Sequence, residues 1–284
     1  HFGDYDQAYL SRLTGERFPP DLPVDSLRYE SHQPPLYYLL AAPVFAATGG
    51  NLIALRLFSL ALGAGVVIFT FLLAREVFPR APVLALTAAG FLAFVPQHVA
   101  MMAGVGNDSL AELLVTGGLW LVVRGTHGNW GTEGTHNRVV LGLVIGAGFL
   151  TKTTIYILAP IAAIALLWQW RRRLPAFANE LPANLKLATA LPEQGALSSG
   201  GLPLVNLSQV ALWPLWRSQQ GVTYLWRVAR PLWRDFALVF IPALLLGAVW
   251  WGRSATVYGW PDFFGLRRHS AVVVGQLRTA EAIA

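Results

Sequence analysis

Four clusters of polar residues interrupt an otherwise apolar sequence, and their types suit group-transfer chemistry on a phosphate-bearing substrate. Asp4 and Asp6 stand in "HFGDYDQAYL", beside tyrosine and glutamine side chains suited to hydroxylated ligands. A carboxylate is what a sugar transfer needs, because it takes the acceptor's proton as attack begins on an oxocarbenium-like carbon. Glu30 and His32 stand in "YESHQPPLYYLL", directly ahead of Pro34 and Pro35. The two prolines restrict the backbone and hold the preceding groups over the apolar segment that follows. Asn107, Asp108 and Ser109 read as a helix start, and Glu112, four residues after Asp108, falls on the same helical face. Lys152 lies between two apolar arms, and Arg56 opens an apolar run. Together these cations suit a clamp on a lipid phosphate, since arginine makes bidentate phosphate contacts.

Each cluster also has a plainer reading that the residues alone leave open. Asp108 is equally well a first-turn acid favoured by the helix dipole. Lys152 and Arg56 are equally well cations that snorkel to the membrane surface. Glu112 lies about a turn inside an apolar run, where a pairing with Lys152 or Arg56 is expected. Asp4, Asp6 and Glu30 are also readable as solvated loop acids. His269 follows "YGWPDFFGLRR" on a late polar segment. The six histidines show no two-histidine helical spacing. A divalent ion held by carboxylates remains compatible with the sequence, and no particular metal is indicated.

The elements that position these groups follow from composition. Of 284 residues 55% are hydrophobic and 13% charged, with mean hydropathy +0.49. Soluble domains carry about 25% charged residues, so this chain is expected to be an all-α integral membrane protein, a polytopic helical bundle. The 11 Trp and 8 Tyr, many beside basic residues, suit rings at membrane interfaces. The net charge of +6 comes largely from arginines at the ends of apolar runs, which points to membrane lipids as partners and not to nucleic acid. With no cysteine, disulfides and thiolate metal sites are excluded.

Residues 1–33 read as an outer-face loop with a short juxtamembrane helix near 5–13, and 34–50 as an interfacial or re-entrant helix. A transmembrane bundle is expected over 51–173, with spans near 54–74, 82–104, 109–124, 138–151 and 153–170. The last two cover roughly 48 Å as one helix against a bilayer of about 30 Å, which favours a hairpin with Lys152 at its tip. Residues 174–235 read as a cytoplasmic loop ending in an amphipathic Trp/Arg segment, in which Pro231 argues against a long helix. A span follows at 236–252, then an outer-face segment at 253–284.

Positive charge divides unevenly between the sides. Arg75, Arg80, Arg124, Arg138, Arg171, Arg172, Arg173, Arg217, Arg227, Arg230 and Arg234 share one side. Arg56 and Lys152 lie on the other. The positive-inside rule makes the first side cytoplasmic. The first loop, the Asn107-Asp108 turn, Lys152 and the segment bearing His269 then share the outer face of a plasma (inner) membrane.

In that order, "YESHQPPLYYLL", "LRLFSLALGAGVVIFTFLLAREVFP", "GVGNDSLAELL" and "GFLTKTTIYILAP" resemble the polytopic glycosyltransferases of GT-C fold. More closely, they resemble the clan of protein O-mannosyltransferases and lipid A aminoarabinose transferases, glycosyltransferase family 39. The resemblance spans residues 1–170, and "TVYGWPDFFGLRRHSAVVVGQLRT" extends it loosely. It implies transfer of a sugar, with inversion, from a polyprenyl-phosphate donor to a protein, lipid or glycan acceptor on the outer face. It implies a catalytic acid in the first outer loop, within an Asp-Glu pair just after a first span. No such pair is present, so the true acid is expected before His1, with Asp4, Asp6 and Glu30 as the candidates within the chain. A basic residue precedes the family's Pro-Pro pair. Here Gln33 does, with His32 one earlier, and this shifts donor-phosphate contact toward Arg56 and Lys152. Asn107 and Asp108 match the family's acidic outer turn, so Asn107, Asp108, Glu112 and His269 are the candidate substrate or metal contacts. A transporter would instead need polar residues along a path through the spans, with broken helices at mid-membrane. A catalytically silent membrane subunit is the other alternative.

Overall fold

The computed structural model describes residues 7–16, 19, 21–22, 33–127, 134–179 and 219–261. The described residues are helical, without strands, and the chain is an all-α polytopic membrane protein. Its helices are α1 (Gln7–Gly15), α2 (Leu36–Thr48), α3 (Leu52–Val77), α4 (Pro82–Ala93), α5 (Pro96–Met102), α6 (Asp108–Thr126), α7 (Gly134–Phe149), α8 (Leu158–Asn179) and α9 (Gln219–Tyr258). A 3-10 turn, Thr153–Ile157, leads into α8.

Among the described residues, three helices are long and apolar enough to cross a bilayer: α3, the 3-10 turn with α8, and α9. Their outward faces carry exposed Ile68, Ile164, Leu245 and Val249, as lipid-facing residues must. The pair α4–α5 passes the same test together but bends by 64°. The span expected near 82–104 is thus bent in its middle, as in a broken span or a re-entrant loop. The cause is local: Pro96 has no N–H to continue the ladder and opens α5 as its first residue.

Helix ends are set by side chains and glycine. The Asn51 side chain accepts from the N–H groups of Ile53 (2.9 Å) and Ala54 (3.2 Å) and starts α3. Gly49, at φ 62°, closes α2 in the left-handed conformation that glycine adopts without penalty.

Two pairs of helices run side by side in the same direction. α3 packs on α6, where Gly65 faces Leu113 and Gly117 faces Phe69. α7 packs on α9 through Gly142 and Gly146, a spacing of four that puts both on one face. A Cβ on Gly142 would run into the Val239 carbonyl, and one on Gly146 would lie 3.1 Å from the Ala243 backbone. Close backbone approach replaces the hydrophobic drive that is absent between helices in lipid. The central core joins these pairs through Leu121, Val122, Leu141, Ile145, Phe149, Leu158, Leu166 and Val239.

The expectation that Pro231 prevents a long helix is also corrected. α9 runs through both Pro231 and Pro242. Trp170 Nε1 donates to the Val228 carbonyl at 2.9 Å, so α8 ties down α9 just before the first proline.

Candidate functional site

Three chain turns separated widely in sequence meet at one end of the bundle: the Gln33–Pro35 elbow, the Asn107–Asp108 start of α6, and the Thr151–Lys152 turn after α7. The elbow is fixed first by backbone. Pro34 is fully buried, and the first N–H of α2, from Leu36, donates to the Leu150 carbonyl at 2.8 Å. A helix start leaves its leading N–H groups without partners inside the helix, and here the end of α7 supplies one. Tyr37, fully buried, shares a 2.6 Å hydrogen bond with Ser59 of α3, which fixes the roll of α2.

Asn107 links all three turns. Its Nδ2 donates to Gln33 Oε1 (2.6 Å) and to the Thr151 carbonyl (3.2 Å). The sequence reads Asn107-Asp108-Ser109 as a helix start, and α6 does begin at Asp108. The Asn107 side chain nevertheless makes no capping bond, because it is engaged by the two neighbouring turns. At 6% exposure Asn107 is a strut that a ligand cannot readily reach.

Beside this strut, Lys152 Nζ lies 2.5 Å from Asp108 Oδ1. The pair stays open to solvent or ligand, with side-chain exposures of 24% for Lys152 and 41% for Asp108. An ammonium has three donors, and Asp108 occupies one of them. The remainder can contact an anion while the carboxylate keeps the amine in place. Lys152 itself has an extended backbone (φ −160°, ψ 141°), so the amine projects from a break between helices.

The turn beneath it is braced by rings. Trp251 Nε1 of α9 donates to Tyr156 Oη at 2.9 Å, and Tyr156 Oη donates to the Phe149 carbonyl at 3.3 Å. Phe149, Tyr156 and Trp251 also stack edge-on or tilted, with centroids 4.6–6.1 Å apart.

Glu112 does not join Asp108. Its Oε2 lies 3.1 Å from Nδ1 of His98, a buried residue of α5, and it forms no described ion pair with Lys152 or Arg56, the expected partners. The bend between α4 and α5 is what brings His98 to α6. Arg56 is exposed on the first turns of α3 and forms no ion pair among the described residues, so no described contact joins it to Lys152 in a clamp. Asp4, Asp6, Glu30, His32 and His269 lie outside the described residues. Among the described residues no group of three or more histidines and carboxylates is placed to hold a metal ion.

Sequence reasoning passed over Gln33, Thr151 and His98 as parts of one arrangement. Gln33 was notable only as a departure from a basic residue, and Thr151 contributes a backbone carbonyl that carries no sequence signal. His98 had a signal, as a titratable group in an otherwise apolar run.

No curated protein and no solved structure matches the chain. A family model does match, that of dolichyl-phosphate-mannose-protein mannosyltransferase, over residues 32–192. The match covers more than half of the chain and takes in all three turns of the site. On that match, with an all-α polytopic fold beneath it, the chain belongs to the dolichyl-phosphate-mannose-protein mannosyltransferase family, the membrane glycosyltransferases of mannosyltransferase type.

Proposed function

We propose that the protein moves a sugar from a polyprenyl-phosphate donor to a protein, lipid or glycan acceptor at the outer face of the plasma (inner) membrane, with inversion. The observation that carries this reading is the Asp108–Lys152 pair, exposed beside a rigid junction of three turns. The acceptor hydroxyl oxygen bonds to the anomeric carbon as the carbon–oxygen bond to phosphate breaks. The electron pair leaves on the polyprenyl phosphate, and the acceptor proton passes to a carboxylate.

In this account Lys152 faces the leaving phosphate, where a fixed cation stabilises charge that grows as the bond breaks. Asp108 positions Lys152, and Asn107 positions the elbow against both. Arg56 and His32 are further phosphate contacts. The base is drawn from Asp4, Asp6 and Glu30. Glu112 and His269 are substrate contacts, and a divalent ion is compatible with, though not required by, this scheme. The elbow at Pro34 and Pro35 starts a short apolar helix that lies along the entry route of a donor arriving from the bilayer.

The test compares two donors. Membranes holding the protein are given radiolabelled polyprenyl-phosphate mannose or a labelled nucleotide-activated mannose. Label reaching acceptor from the lipid donor, and from the nucleotide only when a lipid-charging enzyme is added, supports the reading. Direct use of the nucleotide sugar overturns the donor assignment.

A further inference from the structure

The opposite end of the bundle holds a second cluster of charge that sugar transfer does not use. A cavity of about 450 Å³ is lined by Arg138 of α7, Arg173 of α8, and Arg230, Pro231, Arg234 and Asp235 of α9. That volume is within the usual range for small-ligand pockets, about 300–1,000 Å³. Arg138 and Lys152 are separated by most of α7, about 20 Å at 1.5 Å per residue.

Among the described residues, one carboxylate serves this group. Asp235 Oδ1 lies 2.8 Å from Arg138 Nε, and its Oδ2 lies 3.5 Å from Arg173 Nη1. Arg234 Nη2 donates to the neutral Thr135 hydroxyl at 2.6 Å. Neither Arg230 nor Arg234 has a carboxylate partner among the described residues. Four guanidinium groups around one carboxylate give the described lining of this cavity an excess of three positive charges. Like charges gathered this closely repel one another unless an anion joins them. Guanidinium groups are suited to phosphate, which they meet with paired donors.

The cavity also lies at a membrane boundary. Apolar sequence begins at Val139 after Arg138, ends shortly before Arg171, and begins again at Phe236 after Asp235. Trp226 and Trp233, exposed on α9, fit an interfacial belt at the same level. Basic pockets between helices at this depth are where lipid phosphates are held.

We infer that this arginine cavity is a binding site for a phosphate-bearing anion, separate from the candidate transfer site. The anion is either the headgroup of an anionic phospholipid or a soluble phosphate, and the inference does not rest on the sugar-transfer reading. The test follows the thermal unfolding of the delipidated, detergent-solubilised protein. It is titrated with phosphatidylglycerol, with phosphatidylcholine, and with inorganic phosphate against chloride at equal ionic strength.

Phosphatidylglycerol is expected to raise Tm by several degrees in wild type and in R80Q, whose arginine lies outside the cavity. The rise is expected to vanish in the R230Q/R234Q variant, and to shrink in the single R230Q variant should the double variant fold poorly. A rise with inorganic phosphate alone, lost in the same variants, supports the site and assigns it to a soluble phosphate. Equal responses to both lipids without a phosphate response, or an anion response that is undiminished in R230Q or persists in R230Q/R234Q, overturns the inference.

Discussion

Lys152 and Asp108 are 44 positions apart in sequence, yet Nζ of one stands 2.5 Å from Oδ1 of the other, on two turns that Asn107 joins to a third. The lysine is thus aimed by structure, while both groups stay partly exposed. If Lys152 faces the donor phosphate, removing it forfeits a charge-assisted contact worth about 1.5–3 kcal/mol. K152A is then expected to lower kcat/KM for the lipid-linked donor by about ten- to a hundredfold, at 1.4 kcal/mol per tenfold. K152R is expected to recover part of that loss. Initial rates across donor concentration check both expectations.

Asn107 makes a different prediction, because it touches the scaffold. N107A leaves the Gln33 side chain and the Thr151 carbonyl without their shared donor. A buried polar group left unsatisfied costs about 1–3 kcal/mol. The expected result is a lower Tm in detergent together with a lower transfer rate. N107D is expected to be worse, since it sets a carboxylate against the Thr151 carbonyl oxygen that Nδ2 now serves.

Tyr37 and Ser59 test the anchoring of α2. Their 2.6 Å hydrogen bond is buried at full depth. Y37F removes the hydroxyl and keeps the ring, so the expected cost is about 1 kcal/mol, read as a modest fall in Tm. Y37A also opens a cavity and is expected to cost about 3–5 kcal/mol.

How much of this was legible in the sequence depends on the kind of contact. Membrane class, the helix start at Asp108 and the exposed turn at Lys152 follow from hydropathy and residue type, which are local properties. The pairing of side chains is not local. Glu112 and Asp108 share a helical face, yet one meets His98 and the other Lys152, because the bend at Pro96 delivers a histidine to α6. Pro231 misled for a related reason. A proline costs a helix one hydrogen bond, but α9 is held on both sides of that cost by packing against α7 and α8. Asp235, the hub of the arginine cavity, gave no signal beyond being one acid among arginines.

The α7–α9 contact gives a stability prediction. Gly142 faces the Val239 carbonyl with no room for a Cβ, and the obstacle is backbone. G142A must therefore push the two helices apart. Overpacking of this kind costs about 1–3 kcal/mol, and G142L is expected to abolish accumulation of folded protein. G90A, where a Cβ meets nothing within 4 Å, is the neutral control. Tm and the yield of monodisperse protein check the series.

Removing Asp235 is expected to be more damaging than removing Arg230, which no described ion pair joins to it. Its side chain and that of Arg138 are each 11% exposed. Breaking a buried pair by deleting one partner costs about 3–5 kcal/mol. D235A is therefore expected to unfold at markedly lower temperature than R230Q, whose side chain is exposed.

The central claim is that the Asp108–Lys152 pair serves sugar transfer from a lipid phosphate. The measurement that tests it most directly follows labelled mannose from polyprenyl phosphate to acceptor in membranes holding equal amounts of wild type, D108N and K152A. The account predicts that K152A loses most transfer and that its KM for the donor rises. D108N is predicted to be impaired in the same direction, with normal protein levels in both. Wild-type rates and unchanged donor KM in both variants would contradict it.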